Sequence, residues 1–137
     1  MTVPDNSRDR GSVMPMTTVL IAFLMISAWS LISASQQWGS RRDAYAAAAA
    51  AARAAAQADP ASLRFGVIVD EVMATERAEA VLAAAGYQGS VVVDGESVTV
   101  IVNAAVEYAF PSPGFPSEVT GTATAVARRG VNGDEGG

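Results

Sequence analysis

Residues Met14 to Ala34 read MPMTTVLIAFLMISAWSLISA and carry no charged side chain. In a helix rising about 1.5 Å per residue this run reaches about 31 Å, close to one bilayer hydrocarbon core. Thr17, Thr18, Ser27, Ser30 and Ser33 interrupt it, but a helix satisfies such hydroxyls on its own carbonyls. Arg8, Asp9 and Arg10 precede the run, and Arg41, Arg42 and Asp43 follow it. Trp38 sits where an interfacial aromatic anchors a span. Pro15 suits a first helical turn, where its missing N–H costs nothing. The pattern predicts a short N-terminal tail over 1–13 and a transmembrane helix over 14–35. A cleaved signal peptide competes, with Ser33-Ala34-Ser35 as its exit, although its apolar core should be shorter, about 7–15 residues. A soluble core helix would need more chain to wrap it. Charge does not orient the span: two Arg stand near each end.

Beyond the span, SRRDAYAAAAAAARAAAQADP is built of the best helix former. Nothing breaks it before Asp59-Pro60, where the residue ahead of proline is pushed out of the helical region. One helix from about Pro15 to Ala58 is expected, with an Ala-rich stalk over 36–58. Its small side chains let another helix approach closely, and Ala47, Ala49, Ala50 and Ala54 are the candidate helix-packing surface. A plain stalk explains the same residues.

The remaining pattern predicts a small domain over 61–128. Ala61 to Val69 is ambiguous between a short strand and the approach to a helix. From Glu71 to Ala85, apolar Ala74, Ala78, Val81, Leu82 and Ala85 recur at helical spacing, and Gly86 closes the helix. Ser90 to Val93 leads into Asp94-Gly95, a dipeptide suited to a two-residue hairpin loop. From Val98 to Phe110 every even position is apolar or aromatic, and the odd positions are mostly wetter. The loop PSPGFP, Pro111 to Pro116, stops that strand, and Glu118 to Ala127 alternates again. The fold class is therefore α+β: a long N-terminal transmembrane and stalk helix, then one helix on a three-stranded antiparallel sheet. Residues 129–137 read as a disordered tail. A domain of this size without disulfides is marginal alone and needs help from the stalk or a partner.

Composition narrows the chemistry. The 137 residues include no Cys and no His, all nine basic residues are Arg, and the formal net charge is −5. Disulfides, thiolate or imidazole metal sites and imidazole bases are excluded, and the serines have no ordinary base to activate them. The acidic balance argues against nucleic acid, which needs a basic face. Glu76 and Glu79 read as a solvated helix face rather than an acid–base pair, and Asp94 and Glu96 as hairpin residues rather than a Ca²⁺ site. Phosphate-cradling glycine loops are absent from the sequence. No catalytic residue, cofactor or metal site is expected. Phe110 and Phe115 flank the proline loop and form either an exposed apolar tip, for a partner or a membrane surface, or a loop packed back on the sheet.

Taken in order, these pieces resemble the TadE/TadG-like family of tight-adherence (Flp-type) pilus-assembly proteins, in the form found in high-GC actinobacteria. The resemblance covers about residues 8–131: Arg8-Asp9-Arg10-Gly11-Ser12-Val13 before the span, Arg41-Arg42 after it, the Ala44–Ala56 helix with Arg53, Ala83-Ala84-Ala85-Gly86, and Val119-Thr120-Gly121-Thr122-Ala123-Thr124-Ala125 ahead of Arg128-Arg129-Gly130. It implies a single-pass inner-membrane protein with its N-terminus inside and an extracytoplasmic domain. Other pilin-like subunits, the secretion machinery and the bilayer would be its partners in assembling or secreting adhesive pili. Family members that a prepilin peptidase processes carry Glu at the fifth position after the cleavage glycine. Counted from Gly11 that position is Met16, which points to an uncleaved, TadG-like anchor without the helix-end charge pairing. The alternative function is a secreted or anchored binding module that captures a ligand through the proline-rich tip.

Overall fold

The computed structural model describes residues 13–57 and 69–127. Helix α1 spans Val13–Ala55 and helix α2 spans Glu71–Ala84; strands β1 (Gln88–Asp94), β2 (Ser97–Ala105) and β3 (Glu118–Val126) follow. The strands form one antiparallel sheet in the order β1-β2-β3. The architecture is α+β, as the alternation predicts. The expected Asp59-Pro60 stop, most of the ambiguous segment before Val69, and the two tails lie outside the described residues.

Helix α1 is unbroken for 43 residues, about 65 Å at 1.5 Å per residue. Its two halves live in different surroundings. The second half lies across one face of the sheet and buries Ala44, Ala47, Ala48, Ala51, Ala52 and Ala55. Their spacing of three and four puts them on one helix face. Opposite them stand the even residues of β2, with Val98, Val100 and Val102 wholly buried, and Val119 and Ala123 of β3. Alanine here allows close approach. At Gly121 the approach is closer still: a Cβ would stand 2.4 Å from the carbonyl carbon of Ala44 and 2.4 Å from the nitrogen of Tyr45. Only glycine leaves room for the helix backbone over that strand.

Helix α2 fills the rest of the face, beside α1 and against β1. Asp70 caps it, its Oδ1 accepting from the Val72 N–H at 3.0 Å and the Met73 N–H at 3.4 Å. Ala74, Ala78 and Leu82 are buried, and Val81 packs at the edge of the core. Ala85 is the C-cap rather than a helical residue, and it is exposed. Gly86, at φ +77°, turns the chain as expected, and the Tyr87 N–H closes on the Leu82 carbonyl at 2.9 Å.

Several boundaries differ from the sequence reading. Helix α1 ends at Ala55, with Ala56 and Gln57 already outside it, rather than running to Ala58. The hairpin loop is Gly95-Glu96, because Asp94 pairs with Ser97 inside the ladder. Of the two loop residues only Gly95 has positive φ, at +60°. That fits a turn with glycine at its first central position, so the loop sits one residue later than a turn built on Asp94-Gly95. Strand β2 ends at Ala105 rather than Phe110. A Val106 N–H to Ser117 carbonyl bond of 2.8 Å adds the last rung before the chain leaves the sheet. Finally, the core of the head begins within α1. The stripe of α2 covers only the β1 side, so β2 and β3 take their cover from residues 44–56, which the sequence reading assigns to a stalk.

Candidate functional site

The first half of α1 is an apolar rod with almost no cover from the other described residues. Only 6% of its most apolar 18-residue window is buried, and the helix is long and apolar enough to cross a membrane. Val13, Met14, Met16, Val19, Leu20, Ile21, Phe23, Leu24, Met25, Ile26 and Leu31 are all exposed. Three of the hydroxyls within it turn back on the helix. Thr17 donates to the Val13 carbonyl at 2.9 Å, Thr18 to Met14 at 3.0 Å and Ser27 to Phe23 at 2.8 Å. Over residues 13–28 an apolar medium therefore meets hydroxyls already paired on the helix's own carbonyls.

Where the rod meets the head, the loop after β2 folds down onto it. The Phe115 ring meets Trp29 edge-on, with centroids 5.8 Å apart and planes at 87°. On its other side Phe115 leans on Tyr108 at 6.0 Å. The Tyr108 hydroxyl donates to the Pro116 carbonyl at 2.7 Å. Ser33, only 2% exposed, lies 2.9 Å from the Ser112 hydroxyl. The single Ser112 proton goes to the Phe110 carbonyl, 2.9 Å away, so Ser33 is the donor of that pair. The Ala109 N–H reaches Gln36 Oε1 at 3.3 Å. Gly114, at φ +90°, makes the reversal. The docking thus joins aromatic packing to hydrogen bonds across a sequence separation of 79 residues.

The sequence-predicted residues fall as follows. Phe110 is exposed, at 57%, whereas Phe115 is half-buried against Trp29. The two do not form a common tip: one faces out and the other fastens the loop, to α1 rather than to the sheet. Ala47 is buried under the sheet, and Ala49, Ala50 and Ala54 are half-buried. Most of the alanine face is thus spent on the chain's own sheet and second helix. The larger uncovered helical surface lies earlier, over residues 13–28.

Above the loop, a groove of about 620 Å³ runs between α1 and β3, lined by Trp38, Arg41, Arg42, Tyr45, Thr120 and Thr122. Glu76 and Glu79 are exposed on α2, and Asp94 and Glu96 are exposed at the hairpin. Among the described residues no three Asp or Glu side chains gather into a metal-sized group. Sequence reasoning missed the roles of Trp29, Ser33 and Gln36. Each reads as part of a helix, and their loop partners lie more than 70 residues away. The one available signal was an aromatic and three prolines in a segment too apolar for a free loop. Compared with known proteins, the chain matches no family model, no curated protein and no solved structure.

Proposed function

We propose that the chain is a single-pass membrane protein, N-terminus inside and head outside, acting as a non-catalytic TadE/TadG-type pilin-like subunit. In this reading it takes part in assembling or secreting Flp-type adhesive pili, beside other pilin-like subunits and the secretion machinery of the membrane. One observation carries the reading: a single unbroken helix is a bare apolar rod over its first half and the backbone of the head's core over its second. An exposed apolar surface of that extent needs lipid or neighbouring helices to cover it. Since no flexible joint separates rod from head within α1, the head is held at a fixed height and orientation above whatever covers the rod. Such rigidity suits a subunit that must present a defined surface to its neighbours. The order of motifs along residues 8–131 supports the assignment to pilus assembly.

The test is deletion of the gene in its native host, with surface filaments counted by electron microscopy and complementation by the wild-type chain and by Leu24→Arg. Deletion is expected to remove or sharply thin the pili. Wild type should restore them, and the Leu24→Arg variant, which places a charge in the middle of the rod, should not. Normal piliation in the deletion strain sinks the pilus assignment.

A further inference from the structure

The docking of the proline loop fixes its height along α1, and that height has a consequence for the bilayer. The uncharged run ends at Ala34. Trp29 lies five positions before that end, about 7.5 Å along the axis, and Gln36 lies about 3 Å beyond it. The loop is pinned to Trp29 through Phe115, to Ser33 through Ser112 and to Gln36 through the Ala109 N–H. If the rod spans a bilayer, residues 109–116 must lie at the depth where hydrocarbon gives way to headgroups. Resting on the membrane reading above, we propose that this loop is a lipid-binding wedge, with the exposed Phe110 ring inserted into the outer membrane interface.

The composition of the loop suits that depth. From Tyr108 to Ser117 the sequence is YAFPSPGFPS, without a charge, while Glu107 and Glu118 flank it on the sheet side. Three of the ten residues are proline and bring no N–H that would need a partner in lipid. Several remaining polar groups are paired within the loop. The carbonyl of Phe110 accepts from the Ser112 hydroxyl, that of Ser112 from the Phe115 N–H at 3.2 Å, and that of Pro116 from the Tyr108 hydroxyl. A loop built for water has no need of this economy of donors. Phe110 is the large aromatic left uncovered by it, and aromatic side chains settle at this interface. Continuity with the rod selects lipid as the occupant: the same helix that calls for a bilayer over residues 13–28 carries the loop at its upper rim. The wedge gives the head a second attachment beside the helix, so the head cannot swivel about the α1 axis without withdrawing Phe110 from the interface.

The chain has no cysteine, so single-site labelling is clean. Phe110→Cys, Leu24→Cys and Glu96→Cys, each in the full-length protein, carry an NBD fluorophore and are reconstituted in phosphatidylcholine–phosphatidylglycerol vesicles without doxyl lipid, with shallow 5-doxyl lipid or with deep 12-doxyl lipid. Glu96 is the water reference, at the exposed hairpin on the far end of the sheet from the loop. Leu24 is the lipid reference, in the rod. The wedge predicts that the label at 110 is blue-shifted relative to 96 and quenched by the shallow doxyl group at least half as strongly as the label at 24 is by the deep one. Phe110 is exposed, so this substitution leaves the core intact. If 24 is quenched while 110 behaves like 96, the wedge is overturned and the anchor stands. If neither 24 nor 110 is quenched, the anchor itself is wrong and the wedge falls with it.

Discussion

Two glycines of this chain show how the same substitution divides according to what lies around it. At Gly121 a Cβ has 2.4 Å to the Ala44 and Tyr45 backbone, and at Gly39 it has nothing within 4 Å. Backbone cannot move aside as a flexible side chain does, so Gly121→Ala must lift α1 off β3. The expected cost is about 1–3 kcal/mol, seen as a lowered unfolding midpoint of the detergent-solubilised full chain. Gly39→Ala, inside the same helix, should instead stabilise by up to about 1 kcal/mol by removing backbone freedom from the unfolded chain. Equal effects at the two sites would refute the close approach. Ser33 has a comparable constraint of a polar kind. Ser33→Ala removes the donor to Ser112 and should cost about 1 kcal/mol. Its more specific sign is faster amide hydrogen exchange across residues 109–116 with exchange in β2 unchanged.

The elements divide into those whose signals are local and those whose form depends on a distant partner. Helix α2 belongs to the first kind. Its cap, stripe and closing glycine all lie within 17 residues, Asp70 to Gly86; the sequence reading draws the stripe and the glycine, and the structure adds the Asp70 cap. Asp70→Ala leaves the Val72 and Met73 N–H groups without their acceptor and should lower stability by about 1 kcal/mol, with the loss confined to the first turn of α2 by hydrogen exchange. The strands are legible for the same reason. Alternation tracks burial through Val98, Val100, Val102, Ala104 and Val106. It fails at Phe110 because pairing with β3 stops at Val106–Ser117, and no residue near Phe110 announces that stop. The proline loop is of the second kind. Its docking needs Trp29 and Ser33, whose positions relative to the sheet are set only when Gly121 and the alanines let α1 settle. Composition alone therefore left two fates open for Phe115. The structure predicts that they separate in the laboratory. Phe115→Ser should loosen the loop and lower stability by about 1–3 kcal/mol through lost ring contacts, whereas Phe110→Ser should leave the head's unfolding midpoint unchanged.

For the whole molecule, the deciding point is that α1 cannot be divided into an anchor and a head without damage to both. The alanine stretch reads as a stalk because its residues carry helix propensity and little else. What they cover becomes visible only in the sheet, where they share one buried cluster with Val98, Val100 and Val102. This bears on how the chain is processed. A cut after Ser33-Ala34-Ser35 would keep the alanine face but discard Trp29 and Ser33, most of the dock of the loop, and would leave the Phe115 ring and the Ser112 hydroxyl without their partners on α1. A cut after Gly11 would leave the rod and the dock whole. Intact mass of the protein extracted from its native host distinguishes the cases. The proposed anchor predicts the full-length mass in the membrane fraction. A mass beginning at Ser12, still in the membrane, would mark a processed pilin despite Met16 at the fifth position. A mass beginning near Gln36 in the soluble fraction would overturn the anchor, and the freed head should then show rapid exchange over residues 109–116, because the helix turn that holds them has been removed.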